Sequence, residues 1–402
     1  MEAQRLSTPG AQILSTGTGA YAARARIAAE AAAQHAAAVD SAARFPAEAF
    51  AELRKQRLLG IMVPASLGGE GATVAELADI CFILGQACAS TALIFAMHQI
   101  KMACIIRHSK GNATLERILK QIVGEQLLMA SSTTEGQAGG NVRASEAAIE
   151  HVGEEITLER KATVISYAVE ADGLVTTARR AADAAPSDQV LLVLLKKDYT
   201  LDRVQSWDTL GMRGTHSEGF ALHVRAPVQQ VMSEPYEKIH AQTMVPHAHI
   251  LWGSVWAGIA AAATIKAQAF IRNALRSSGG QMPPGAAHFT KAASSLRTLR
   301  SVLNSAMRSY QLAMSDEKAV SALEFQSMIT LTKVQASELA VETVLAALRA
   351  CGLSGFRNDS EFSIGRHLRD VLSAPLMINN DRILANLAMT SVMTSLPTTV
   401  SG

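Results

Sequence analysis

The chain has 402 residues, more than one hydrophobic core usually organises, so two or three domains are expected. Hydrophobic residues make up 49% and charged residues 18%, a globular composition that excludes a disordered chain. A formal net charge of +2, with no run of Lys or Arg, excludes the basic surface that nucleic-acid binding requires.

Cys81, Cys88, Cys104 and Cys351 lie in apolar, helix-like stretches and form no C-x-x-C pair, which predicts buried thiols in a reducing compartment. The N-terminus has no charged segment leading into an apolar block, and no stretch of ~20 residues is apolar without interruption. Membrane insertion is therefore not expected, and the cytoplasm is the predicted location.

Residues 1–20 are rich in Ser, Thr and Gly without a period and predict a flexible leader. Residues 21–126 then read as an α-helical domain. Ala-rich sequence runs to Val39. A helix follows with Pro46 in its first turn, Phe50 and Leu53 on one face and Gly60 as its C-cap. Thr73 and Glu76 form a capping box before a helix over Val74 to about Ala87, and further helices are predicted at about 91–108 and 113–125.

From 127 to 236 the texture is that of a β-domain, with short β-type runs at Ile156–Leu158, Ala162–Tyr167, Leu174–Ala178 and Val190–Leu195. Asp172-Gly173 reads as a hairpin turn, and the loop around Pro186 as another. Residues 237–402 return to helical periodicity in four long pieces, about 249–276, 288–314, 316–350 and 376–393, which predict a four-helix bundle. Ser315 is the expected N-cap of the third and Gly352 its stop.

The common catalytic signatures are missing. Gly17-Thr-Gly19-Ala-Tyr-Ala22 has the outline of a dinucleotide loop, but no strand precedes it and no βαβ unit follows. There is no G-x-S-x-G, P-loop or H-E-x-x-H. His247-Ala-His249 has no Cys, Asp or Glu set at ligand spacing, so no metal is expected.

A resemblance appears at Leu210-Gly-Met-Arg-Gly-Thr-His-Ser-Glu-Gly-Phe, which is similar to the LGMRGT stretch of the acyl-CoA dehydrogenase superfamily of flavoproteins. Further segments resemble that family in the same order: Leu58-Leu-Gly-Ile-Met-Val-Pro, Ser90-Thr-Ala-Leu with Met97-His98, Thr134-Glu135, and Arg369-Asp370. The resemblance implies an α+β chain: an N-terminal α-helical domain, a middle antiparallel β-domain and a C-terminal four-helix bundle. It also implies FAD between the last two, a homotetramer, and α,β-dehydrogenation of an acyl-CoA thioester, with the flavin carrying the electrons. FMN or a reduced flavin remains open as the cofactor. An electron-transfer flavoprotein or a flavin reductase is the implied redox partner.

Carried over residue by residue, the resemblance gives Ser131, Thr133, Thr134, Gly139 and Gly140 to a loop that hydrogen-bonds the flavin ring. Thr163, Ile165 and Ser166 fall on the strand behind that ring, with Thr163 where many members have Trp. Arg276, with Arg272 as a rival, stands where an arginine reaches the pyrophosphate of a neighbouring subunit's FAD. Gly352 and Gly355 correspond to a turn near the adenosine, with Arg349 in place of the usual Gln. Asn380 and Arg382 complete the cofactor set.

The family's catalytic glutamate is missing: Ile378 stands at its usual position, and the alternative position, near 247–251, has no carboxylate. Three readings follow. His247 or His249 replaces the glutamate in a dehydrogenase; the chain is a monooxygenase using reduced flavin and O₂, which needs no such base; or it is a non-catalytic flavin-binding or assembly protein. Asp381 is the nearest acidic alternative, and Glu135 reads as structural.

Overall fold

The computed structural model describes residues 18–135 and 144–393; Gly139, Gly140 and most of the expected leader lie outside the described residues. Five helices come first: α1 (Thr18–Ser41), α2 (Ala47–Lys55), α3 (Val74–Ala87), α4 (Ala89–His108) and α5 (Ala113–Glu125). The capping box of α3 is present, with Thr73 Oγ1 accepting from Glu76 N at 3.3 Å and the Glu76 carboxylate accepting from Thr73 N at 2.8 Å. Asn112 caps α5 by accepting from Thr114 N and Leu115 N, both at 3.1 Å. The end of α2 differs from expectation. Arg57, at φ +54, takes the left-handed position, held by a bond from its guanidinium to Val123 O at 3.1 Å. Gly60 serves packing instead, since a Cβ there would stand 2.9 Å from Val123 Cα.

Seven strands follow: β1 (Met129–Ser132), β2 (Glu150–Val152), β3 (Glu155–Ile165), β4 (Gly173–Arg179), β5 (Gln189–Leu195), β6 (Tyr199–Gln205) and β7 (Glu218–Pro227). They form two sheets, ordered β1-β4-β5 and β2-β3-β7-β6. Two details correct the sequence reading. First, β1 and β4 pair in parallel, because the chain between them carries β2 and β3 and returns in the same direction. The other pairs are antiparallel. Second, Asp172-Gly173 makes no hairpin, since β3 and β4 belong to different sheets. Asp172 accepts from Leu128 N at 2.8 Å and pairs with Arg54 at 3.0 Å, so its carboxylate joins α2 to the start of the sheet.

The C-terminal part comprises α6 (Tyr236–Ile239), a π-helical segment (His240–Met244), α7 (Val245–Ser277), α8 (Ala286–Ala313), α9 (Glu317–Ser321), α10 (Leu323–Phe356), α11 (Gly365–Val371), α12 (Ser373–Leu376) and α13 (Asn380–Met393). Asp316, not Ser315, caps the helix after α8, accepting from Lys318 N at 2.8 Å. Gly352, at φ +54 and ψ −134, breaks the helical backbone of α10 as expected of a stop, and a separate short helical stretch follows it to Phe356. By length and composition α4, α6–α7 and α10 could cross a membrane. In the first two, 89% of the apolar window is buried inside the protein, and in α10 44%.

The three parts meet at the 210–217 loop. A Cβ on Gly211 would stand 2.1 Å from Arg369 O, so the close approach of this loop to α11 requires glycine. Met212 N donates to Asp370 Oδ1 at 2.7 Å, and Arg369 donates to Leu210 O at 2.9 Å while pairing with Asp40 of α1. A second close approach joins α3 to α7, where Gly85 and Gly258 face each other. Gly211→Ala is expected to lower unfolding stability by about 1–3 kcal/mol, because the backbone on both sides must separate. Urea unfolding measures this; an unchanged midpoint would contradict the clamp.

Candidate functional site

Strand alternation places Ser131 and Thr133 on the face opposite Ser132. Ser131, Thr133 and Thr134 are half-buried, and their hydroxyls have no protein partner among the described residues. Ser132 is fully buried, with an Oγ that has no hydrogen-bond partner. Glu135, directly after them, is an anchor. It accepts from Ser145 Oγ at 2.6 Å and Glu146 N at 2.7 Å and pairs with buried Arg160 at 2.9 Å. Glu135 is thereby tied to residues 145 and 146.

β3 breaks register between Ala162 and Ile165, which leaves Thr163 and Val164 exposed and Ile165 buried. Ser166 Oγ lies 2.8 Å from Ser217 Oγ, which lies 2.8 Å from Thr215 Oγ1, which donates to Met212 O at 2.9 Å. Tyr167 OH donates to Met129 O at 3.1 Å and so holds the end of β3 against β1. His98 does the same from α4: its Nε2 donates to Leu59 O at 2.8 Å and its Nδ1 accepts from Met129 N at 3.0 Å. The result is a row of half-buried hydroxyls, several without protein partners, on a rigid strand end. That donor and acceptor set fits the polar edge of a flavin.

Ile378 lies in the turn between α12 and α13 at φ +47, followed by Asn379 at φ +52, an uncommon conformation for a β-branched residue. Asn379 explains the turn in part, since its Oδ1 caps α13 by accepting from Asp381 N at 2.9 Å. Asp381 and Arg382 are exposed on the first turn of α13. Asn380 is buried in a polar cluster that sequence reasoning missed. Its Oδ1 accepts from Lys333 Nζ at 2.6 Å, and its Nδ2 donates to Ser337 Oγ at 3.0 Å and Glu338 Oε1 at 2.7 Å. Burial pushes the Lys333 amine down to about 8. A Lys on the otherwise apolar inner face of α10 was the available signal.

His247 and His249 are both 3% exposed and point to different sides of α7. His247 Nδ1 donates to Thr243 O at 2.8 Å, with Tyr310 OH 3.3 Å away; His249 Nδ1 donates to Ile329 O of α10 at 2.9 Å. Burial pushes both down to about 4, so at neutral pH each is an uncharged imidazole whose Nε2 carries the lone pair. No hydrogen bond joins either to the 131–134 segment. Arg272 and Arg276 are exposed on the last turns of α7, Gly352 is exposed, and Gly355 is buried with its carbonyl accepting from Ile364 N at 2.8 Å. Within one chain, no hydrogen bond brings Arg276, Gly352 or Gly355 to the hydroxyl row. Among the described residues no group of three or more His, Cys, Asp or Glu is placed to hold a metal ion.

The buried imidazoles fix a pH dependence. Burial pushes His98, His108, His247 and His249 down to about 4 and His367 to about 3, below the unfolded value of 6.5. The unfolded chain therefore binds more protons, and this stability is lost as pH falls through 6.5 towards 4. Asp370, raised to about 6 by burial, and His216, raised by its bond to Glu170, act in the opposite sense. The five outweigh the two. The urea midpoint is expected to fall steadily from pH 6.5 to 5; a flat profile would contradict the neutral burial of these rings.

Residues 20–126 match the family model described as the acyl-CoA dehydrogenase N-terminal domain. Cyclohex-1-ene-1-carbonyl-CoA dehydrogenase of Geobacter metallireducens is 29% identical over 196 residues, covering 48% of this chain. The chain spans about half the length of the first curated relatives it matches, 51% and 54%. A probable acyl-CoA dehydrogenase of Mycobacterium tuberculosis is 23% identical over 84% of this chain and 85% of its own. Among solved structures, FMN-bound TdsC from a Paenibacillus species superposes with a TM-score of 0.83 at 17% identity, covering 94% of this chain and 98% of that one. A nitrososynthase from Micromonospora carbonacea does so with a TM-score of 0.79 at 20% identity, covering 94% and 97%. The N-terminal helices thus match the acyl-CoA dehydrogenase N-terminal family model, and the chain as a whole has the acyl-CoA dehydrogenase-like fold.

Proposed function

We propose that the chain is a flavin-dependent monooxygenase built on the acyl-CoA dehydrogenase fold. The carrying observation is Ile378: the position from which a carboxylate would take the substrate's α proton holds an apolar side chain on a left-handed turn. Glu338, beside that turn, is bound to Asn380, and the histidines of α7 are uncharged and fixed through Nδ1 to backbone carbonyls. In the proposed reaction reduced flavin supplies two electrons and two protons, one atom of O₂ enters the substrate, and the other leaves as water.

The chain's own residues bind and orient. Ser131, Thr133 and Thr134 hold the polar edge of the ring, and Ser166, fixed by Ser217, borders it. FMN is the favoured cofactor, because the departure from the family pattern at Arg349 falls on the turn that lies near the adenosine in FAD-binding members. Two structural neighbours support this: TdsC binds FMN, and KijD3, which superposes with a TM-score of 0.79 at 21% identity, forms a complex with FMN and a dTDP-amino sugar. A flavin reductase is the corresponding partner.

The curated relatives favour a second reading, acyl-CoA dehydrogenation with an electron-transfer flavoprotein as acceptor and a histidine as base. One experiment separates the two. Protein loaded with oxidised FMN or FAD is mixed anaerobically with acyl-CoA thioesters, and reduced protein is mixed with O₂ and aromatic or amino-sugar substrates. No bleaching in the first mixture and product in the second are expected. Bleaching by a thioester would overturn the monooxygenase reading, and neither chemistry would leave a binding protein.

A further inference from the structure

Lys101 lies on α4 with 4% of its surface exposed. Its ammonium has one polar contact, the Met244 thioether at 3.4 Å, and Tyr236 OH approaches the same sulfur at 3.4 Å. A thioether is a weak acceptor and does not replace the hydration of an ammonium. No ion pair joins Lys101 to a carboxylate among the described residues. Of the segments outside them, 1–17, 136–143 and 394–402, the single acidic residue is Glu2. The other deeply buried cations are answered: Arg160 by Glu135 at 2.9 Å, and Lys333 by Asn380 Oδ1 at 2.6 Å. Lys101 departs from that pattern, and burial pushes its amine down to about 8.

A second observation falls at the same place. Met244 ends the π-helical segment His240–Met244, and such segments occur frequently at functional sites. On that segment the Gln242 Oε1 is buried with no donor to it. The Gln242 amide faces Ser321 of α9, so it is the Lys101 ammonium that is left short of partners where α4 meets the π segment. The location adjoins the start of β1. His98, one turn before Lys101, is bonded to Met129 of β1, and Tyr236 is close enough to Arg160, the partner of Glu135, to perturb it.

We propose that Lys101 is a specificity-determining residue that pairs with an anionic group, a carboxylate, on the substrate of the flavin site. An incoming carboxylate supplies the missing counter-charge and the strong acceptor that Met244 Sδ does not. The assignment rests on the reading that the 131–134 segment borders a flavin, and it selects acidic over neutral substrates for that site.

The test uses the full-length protein and a panel of aliphatic and aromatic carboxylates, each beside its amide, with thermal unfolding and calorimetric titration as readouts at neutral pH. The carboxylates are expected to raise the melting midpoint more than their amides. Lys101→Met, which keeps the volume and removes the charge, is expected to weaken carboxylate binding about tenfold or more and leave the amides unchanged. Lys101→Arg is expected to retain the preference for anions. Equal binding of carboxylate and amide by the native protein, which needs no variant to fold, overturns the proposal. So does an undiminished preference in Lys101→Met. The readout requires neither flavin nor oxygen. A carboxylate preference without oxygenated product therefore overturns the monooxygenase reading alone, and equal turnover of anionic and neutral substrates overturns the Lys101 assignment alone.

Discussion

The backbone of Gly211 lies against the backbone of Arg369 and Asp370 at a distance that admits no Cβ, and much of the molecule is positioned from that contact. The Asp370 carboxylate, buried and raised to about 6, accepts from Met212 N. Arg369 reaches Asp40 on α1 and Leu210 O at once. From the same loop Thr215 and Ser217 fix Ser166, and His216 Nε2 donates to Ala43 O at 2.8 Å. One short loop therefore sets the relative position of the first helix, the end of β3 and the C-terminal helices. The loop contains the motif by which the chain resembles its family, and the coordinates give a packing reason for its glycine.

Much of the fold was legible because its determinants are local. The order of helices, strands and helices follows from the change of hydrophobic period, and the capping box at Thr73 and Glu76 marks the start of α3 in four residues. Features decided at long range were not legible. Arg57 adopts the left-handed end of α2 because Val123, far along the chain, accepts its guanidinium. Asp172 and Gly173 have the composition of a turn, yet Asp172 is committed to Leu128 and Arg54. The parallel pairing of β1 with β4 depends on where the intervening strands find a partner.

The site was legible in the same uneven way. The hydroxyls at 131–134 stand on a short strand, and their lack of protein partners is a fact of the fold that sequence does not contain. Lys333, Glu338 and Lys101 were missed because a lysine on a helix of apolar period usually reads as a solvated edge, whereas Lys101 and Lys333 are buried. His247 and His249, two residues apart, are close in sequence and divergent in space. Each is an uncharged ring because its burial outweighs the bond it makes to a carbonyl on a separate element.

These features describe a polar, hydroxyl-lined strand end and buried ionisable groups that are largely neutral or already bonded; in the proposed function Ile378 takes the place of a proton-abstracting carboxylate. On the proposed reading, such an environment orients a flavin and a substrate without offering a carboxylate base. The origin of the oxygen atom in the product tests this account most directly. Turnover with reduced flavin under heavy-isotope O₂, followed by mass spectrometry, is predicted to give product carrying one labelled atom, with no label from heavy-isotope water. An unlabelled α,β-unsaturated product would contradict it.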